Sequence, residues 1–484
     1  MKPLEARLLP HHFGVAGAAL FSLGLAAMPA ARALDVRPSV RVGAVYSDNL
    51  FLTPDNKFDD VVTRIDPRID ITHVSERVDL NVAYTYSYLK YAKADNADTS
   101  FTEGRAALDL ALIKDALALE SVLESTRQLI DPESGFSYTN VPVVDNRINE
   151  TRIETSPHLD TEIFGLGVDA RYVVGRVTYS ADVSDVDYQE THTAITTRDR
   201  PKGLSVGLFH NYAVYSYQSP PDNKTQDAYI TLTYGLRDAA DFFLFGSFGL
   251  ENDYRDFTSG SLKDNYWEAG FRRTTGRTLV EAAVGDRSFG STFRGRIRRE
   301  LNAGSIELAY REDPSVQEQL FERRPKIVTP GTPATPDVPS GIDRPGSGAR
   351  FVYKLASATF VKIFGSNTLE LVGFHQERDD ILDRTTTPPD VVQNSETEAG
   401  GTARLTRVLG RRTTVGLEGE LSNRWFRSGN SDQINVIRAR GTYAFGRKLS
   451  LEGYLGRFQQ QGSDIPADNY EEFQAGLFAN YNFR

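Results

Sequence analysis

Residues Val78 to Tyr88 read VDLNVAYTYSY, and the reading has a period of two. Val78, Leu80, Val82, Tyr84, Tyr86 and Tyr88 fall on one face, and Asp79, Asn81, Ala83, Thr85 and Ser87 on the other. Successive strand side chains point to opposite faces, so this is a strand with one apolar face and one small or polar face. The alternation recurs at Ala228, Ile230, Leu232, Tyr234 and Leu236. It recurs again at Val415, Leu417, Gly419 and Leu421, with Glu418, Glu420, Ser422 and Arg424 opposite. Ile437, Ala439, Gly441, Tyr443 and Phe445 alternate with Arg438, Arg440, Thr442 and Ala444. No apolar stripe of helical length and a 3.6-residue period competes with these segments.

Two all-strand architectures produce such a pattern, a soluble sandwich or propeller and an outer-membrane barrel. A sandwich turns its apolar face inward and shows long charged side chains outward. A membrane barrel turns the apolar face to lipid and fills the other with small, polar and paired charged groups. Here the second face carries Gly, Ser, Thr, Ala, Asn, Arg and Glu, which selects the barrel. Aromatics gather at strand ends, as at Tyr84, Tyr86, Tyr88 and Tyr91, which suits interfacial girdles. The last strand has Leu477, Ala479, Tyr481 and Phe483 at alternate positions, the usual form of a terminal insertion strand, although Arg484 follows the Phe.

Composition agrees. The 484 residues hold 22 Tyr and 27 Phe but 2 Trp, a bias toward strand formers. A mean hydropathy of -0.39 excludes a polytopic helical membrane protein, whose spans each need about 20 apolar residues. The chain has no Cys, which removes disulfides, thiol catalysis, iron-sulfur clusters, common structural zinc sites and a lipoprotein anchor. The formal charge of -10 argues against nucleic acid as a partner.

The N-terminus reads as an export signal. Lys2 and Arg7 precede the short apolar run VAGAALFSLGLAAM (Val15 to Met28), and Ala31-Arg32-Ala33 offers a small-x-small cleavage pattern, so residues 1–33 are expected to be removed. Residues 34–484 are then expected to form a single antiparallel barrel of about 18 to 22 strands, 20 being the best expectation. Short turns are expected near residues 73–76, 114–115, 175–176, 237–241, 274–277, 302–304, 365–367, 409–411 and 446–447. Longer loops are expected at 48–60, 93–100, 127–150, 187–202, 252–263, 379–396 and 459–469. The longest is the Pro-rich loop 312–348, in a stretch from Arg311 to Gly348 with seven prolines, Pro314 among them, too rich in proline for a sheet interior. Between residues 151 and 217 the alternation cannot be phased.

Candidate chemistry is sparse. His73, His158, His192, His210 and His375 are isolated, no metal site is expected, and no cofactor is expected. His375 beside Glu377, Arg378, Asp379 and Asp380 is the best catalytic cluster, yet a solvated strand end fits it better, and no enzyme is expected. Asp182, Asp185 and Asp187 lack the glycine and closing Glu of a calcium loop. Arg294, Arg296 and Arg298 alternate with Phe293, Gly295 and Ile297 and so share one strand face. Three like charges side by side must be hydrated in a lumen or pair with acids on neighbouring strands, Glu281 and Glu307 being candidates. Arg438 and Arg440, near Glu418, Glu420 and Glu452, repeat the arrangement. The readings are a cross-strand charge ladder or a selectivity surface for an anionic polymer.

The segment VYSDNLFLTPDNKFDDVVTRIDPRIDI (Val45 to Ile71) resembles the N-terminal strand, Tyr-x-Asp-Asn turn and Pro-containing second strand of outer-membrane proteins associated with PEP-CTERM systems. Residues 265–310, with NYWEAGFRRTTGRTLVEAAVGDRSFGS and RGRIRRELNAGSIELAY, look like that family's Trp-x-Ala-Gly, Arg-Thr and Gly-x-Arg-x-x-Gly stretch. Thr275-Gly276 stands where the family more often has a Pro-Ser turn. The resemblance implies an outer-membrane barrel from gene neighbourhoods for exopolysaccharide production and protein sorting, without a catalytic site. A channel or export conduit for exopolysaccharide follows as the functional expectation, with a non-conducting scaffold barrel as the alternative and an outer-membrane hydrolase as a distant third. Expected partners are outer-membrane lipids and lipopolysaccharide, the barrel-assembly machinery and exopolysaccharide export components.

Overall fold

A computed structural model describes residues 34–94, 96–130, 139–143, 146–180, 183–197, 203–217, 222–236, 241–255, 262–316, 350–380, 395–462 and 469–483. Along these residues run β1 (Asp35–Ser47), β2 (Asp60–Val74), β3 (Val78–Tyr91), β4 (Thr99–Ile113), β5 (Leu117–Leu129), β6 (Arg147–Ile163), β7 (Leu166–Tyr179) and β8 (Val186–Thr197). Then follow β9 (Gly203–Tyr217), β10 (Asn223–Gly235), β11 (Phe242–Arg255), β12 (Leu262–Thr275), β13 (Thr278–Arg287), β14 (Gly290–Leu301) and β15 (Gly304–Val316). The chain ends with β16 (Arg350–Phe364), β17 (Asn367–Asp380), β18 (Ser395–Leu409), β19 (Thr413–Trp425), β20 (Ser431–Ala444), β21 (Leu449–Gly462) and β22 (Tyr470–Asn482).

Every strand pairs antiparallel with its chain neighbours, and β22 returns to β1 with Ser39 opposite Asn482 and Ser47 opposite Gln474. The sheet is thus a closed barrel of 22 strands, two more than the expected 20. Closure leaves no edge strand, so the ladder runs around the whole sheet without an open side. The outward positions are the apolar ones: Tyr86, Leu417, Ile437 and Leu477 are all exposed, Leu477 by 63%. Only a bilayer gives such a belt a favourable environment. Leu477, Tyr481 and Phe483 lie on this face, the last just beyond the end of β22.

Residues 151–217, where the alternation gives no phase, hold most of β6 and all of β7, β8 and β9. Gly175-Arg176 lies in the middle of β7 rather than in a turn, and most of 187–202 is β8. Gly175 is there because the Tyr188 ring lies on it: a Cβ at Gly175 would sit 2.1 Å from Tyr188 Cζ. The outward positions of β8 read Thr191, Thr193 and Ile195, so the apolar alternation is weak. Tyr188 cannot step aside, since its Oη accepts from Arg152 Nε and donates to Glu154 Oε2, both at 2.8 Å. Gly175→Val is therefore expected to lower barrel stability by ~1–3 kcal/mol through overpacking, read by urea unfolding in vesicles. Unchanged stability would mean that the ring is free to move.

Proline also departs from expectation. Pro314 is within β15, opposite Val352. Pro67 and Pro157 also sit within strands, and at each the ladder to the next strand drops two residues without changing register. The missing N–H explains the loss, and closure of the sheet tolerates it. The rest of the Pro-rich loop 312–348 from residue 317 onward, and the export signal 1–33, lie outside the described residues.

At the seam, Arg41 on β1 reaches Asp66 on β2 at 3.2 Å and Glu452 on β21 at 3.3 Å, and its guanidinium stacks 3.4 Å from the Phe478 ring centroid on β22. One side chain therefore ties together four strands around the junction of chain start and chain end. Nearby, Asp48 Oδ1 accepts the Phe473 N–H at 2.7 Å, and buried Asn49 holds Thr53 and the Glu471 carbonyl. The Asp48-Asn49 pair thus fastens the β1–β2 loop to β22.

Candidate functional site: the lumen wall

The lumen has two unlike halves. On one side, near β1 to β5 and β20 to β22, loops fold inward. Leu50, at 0% exposure, and Val141, at 2%, pack with Val45, Val62, Leu89, Tyr91, Phe101 and Phe478. Residues 139–143 are tethered there by polar contacts. Tyr91 Oη donates to the Val141 carbonyl at 2.8 Å, Gln474 Nε2 to Thr139 Oγ1 at 2.8 Å, and Asn140 Nδ2 to Glu103 Oε1 at 3.2 Å. The Val143 N–H donates to the Leu50 carbonyl at 3.0 Å, so the two inward segments hold each other. Among the described residues, this pair of segments narrows the lumen.

Arg424, fully buried, adds to the packed side. It donates to Asp432 through Nε at 2.6 Å and again through a terminal nitrogen, while Gln460 Nε2 donates to the same carboxylate at 2.9 Å.

The opposite side, β9 to β16, is wetter. Arg294, Arg296 and Arg298 all face the lumen, their side chains 43 to 46% exposed. Each has an acid partner: Arg294 meets Glu268 at 2.8 Å and Glu281 at 3.4 Å, Arg296 meets Glu307 at 3.0 Å, and Arg298 meets Glu300 at 2.6 Å. The ladder is therefore charge-compensated, which fits a rigid hydrated wall better than an anion-attracting one. Exposed pairs of this kind contribute only ~0–1 kcal/mol each, so their role is in the lumen's field rather than in stability.

The second constellation separates. Arg438 pairs with Glu418 at 2.8 Å, and Arg404 joins the same carboxylate at 3.5 Å. Glu452 is taken by Arg41 across the seam rather than by Arg440, which stands opposite Gly416 and Tyr454. Glu420 stands opposite Val436.

The His375 cluster is divided by the sheet. His375 faces outward and exposed, and Glu377 and Asp379 beside it bind Lys354. Arg378 points into the lumen against the Phe351 ring at 5.0 Å. Asp185 and Asp187 pair with Arg176, and Asp182 lies outside the described residues. Among the described residues no group of three or more His, Asp or Glu is placed to hold a metal. A concavity of about 520 Å³ over β13 to β17 is lined chiefly by outward residues such as Ala282, Ile297, Leu308 and Ala358, so it belongs to the outer face.

Two histidines that look isolated in sequence are linked across strands. His158 lies 3.3 Å from Glu120 and 2.8 Å from Asp169, and His192 lies 3.0 Å from Asn211 and 3.1 Å from Glu190. Asn211 in turn donates to Asp227 at 2.7 Å. These are two lumenal hydrogen-bond groups, one across β5 to β7 and one across β8 to β10, assembled by register and invisible to sequence spacing.

No family model and no curated protein sequence matches the chain. Solved structures do match in fold. A ferric enterobactin receptor (PfeA) variant from Pseudomonas aeruginosa superposes with a TM-score of 0.50 at 9% identity, covering 94% of this chain and 81% of that one. The siderophore receptor PirA from Acinetobacter baumannii gives 0.49 at 8% identity, covering 93% and 80%. OpdK from Pseudomonas aeruginosa, solved with vanillate, gives 0.36 at 10% identity, covering 93% and 98%. The protein has the fold of an outer-membrane β-barrel, and these neighbours are named as receptors or by their ligand, not as enzymes.

Proposed function

We propose that this barrel is an outer-membrane channel serving exopolysaccharide export in a Gram-negative envelope. The observation that carries the reading is the wet, charge-compensated wall of β12 to β15, where Arg294, Arg296 and Arg298 stand nearly half exposed opposite inward-folded segments. The family resemblance at residues 45–71 and 265–310 supports the exopolysaccharide setting, and the closing strand with Leu477, Tyr481 and Phe483 supports delivery by the barrel-assembly machinery. Water and hydrophilic solutes need such a wall; a purely structural barrel does not.

Replacing Arg294, Arg296 and Arg298 together by Gln removes three positive charges and leaves four carboxylates, Glu268, Glu281, Glu300 and Glu307. The reversal potential in a KCl gradient should move toward that of potassium. An unmoved potential would place these residues off the ion path.

A second reading, a non-conducting scaffold, is favoured by one observation: Leu50 and Val141 are buried as deeply as core residues of a soluble domain. Loss of current in every variant, including those that release residues 139–143, would select it.

A further inference from the structure

Several lumenal rings lie down on glycines instead of standing into the lumen. A Cβ at Gly207 would come 2.6 Å from Phe209 Cε2, and one at Gly270 would come 2.5 Å from Phe245 Cζ. On the packed side the Phe458 and Phe478 rings lie in the same way on Gly456 and Gly43, but they are covered. On the wet side Phe209, Tyr229, Phe245 and Tyr266 remain partly exposed.

Register places these rings together. Phe209 on β9 stands opposite Tyr229 on β10, Tyr229 opposite Gly249 on β11, and Gly249 opposite Tyr266 on β12. The side chain missing at Gly249 lets the rings on either side converge: Phe209 and Tyr229 overlap at 5.0 Å and 16°, and Tyr229 meets Tyr266 edge to face at 5.4 Å. Arg287 closes the row over Tyr266 at 5.4 Å, and Arg294 lies over Phe245 at 5.2 Å. Because barrel strands tilt by roughly 35–45°, a row perpendicular to them climbs the wall obliquely as a ramp between the two ends.

Hydrogen-bonding groups flank the ramp. Asn211 and Asp227 lie on one side, with Thr231 and Ser247, joined at 2.8 Å, on the other. Asp227 has no ion pair among the described residues, whereas Glu251 is taken by Arg287 and Glu268 by Arg294, both within 2.8 Å. Three acids against two arginines leave a local charge of -1. Flat apolar faces beside hydroxyls, an amide and an uncompensated carboxylate suit a ligand with both C–H faces and many hydroxyl donors, and they disfavour an anion.

We propose that Phe209, Tyr229, Phe245 and Tyr266 form a sugar-stacking ramp for an uncharged glycan, with Asp227 and Asn211 receiving its hydroxyls. This rests on the channel reading for its purpose but not for its test, since binding is measurable without current. Calorimetry on the full barrel in detergent would use maltohexaose and laminarihexaose as neutral probes and hexagalacturonate as the acidic one.

At least one neutral hexasaccharide is expected to bind, more tightly than hexagalacturonate. Tyr229→Ala with Tyr266→Ala should weaken that binding by about ten-fold or more, while Tyr229→Phe should keep it. Native folding of each variant is verified by heat-dependent gel mobility. Should the double variant not fold, Phe209→Ala and Phe245→Ala serve in the same comparison. The ramp is overturned by no binding of either neutral sugar at millimolar concentration, by affinity indifferent to the ring variants, or by tighter binding of the acidic probe. A barrel that conducts yet binds no sugar overturns the ramp alone; one that binds sugar yet never conducts overturns the channel alone.

Discussion

Exchanging residues 139–143 for a Gly-Ser sequence is expected to turn a barrel with rare openings into one with a large, sustained ion current in planar bilayers. The magnitude follows from what holds the segment. Four hydrogen bonds tie it to Tyr91, Glu103, Gln474 and the Leu50 carbonyl, each worth ~0.5–1.5 kcal/mol net. Burial of Val141 adds about 1.5–3 kcal/mol. Losing half of such a sum shifts an open-to-closed ratio by at least about ten-fold, because 1.4 kcal/mol is a factor of ten. A milder variant, Tyr91→Phe with Gln474→Ala, removes two tethers without touching the segment and should raise the opening frequency by less. If neither variant alters the current, residues 139–143 are not the obstruction.

Arg424→Ala is expected to lower the unfolding free energy by ~3–5 kcal/mol, the cost of leaving a buried charge without its partner. Asp432 would keep the Gln460 amide at 2.9 Å but lose the guanidinium that meets both its oxygens. The pair itself need not stabilise the barrel: two buried charges carry desolvation costs that their attraction barely offsets. Arg424→Met with Asp432→Leu should therefore regain most of the loss. Urea unfolding in vesicles distinguishes the two, and a double variant as weak as Arg424→Ala would show that the ion pair, rather than the avoidance of an orphan charge, matters.

Much of the architecture is legible in alternation, because a lipid-facing wall imposes period two on every strand. The stretch 78–88 and the strands around Leu417 and Ile437 carry that signal without ambiguity. It fails at β7 and β8 for two physical reasons. Gly175 resembles a turn residue in sequence but is a seat for the Tyr188 ring, and the outward face of β8 is occupied by threonine. Of the site, the arginine periodicity at 294, 296 and 298 shows the shared face, and Glu281 and Glu307 prove to be neighbours. Partners supplied by more distant segments are hidden. The Glu452–Arg41 pair spans the closure, the His158 contacts cross three strands and those of His192 two, and the ring row appears only when Gly249 is set between Tyr229 and Tyr266. Sequence spacing reports what lies along one strand; register across strands decides who meets.

The seam has a temporal side. β1 is made first and its closing partner β22 last, so until the barrel closes Asp35–Ser47 has one row of peptide groups without a partner strand. Such an open edge invites pairing with other chains. The first strand is therefore a hostage to the thirteen residues of β22, and truncation there should yield an aggregating chain, not a smaller pore. Arg41, waiting with its hand extended toward a strand not yet made, acts as the latch that ends this exposed interval.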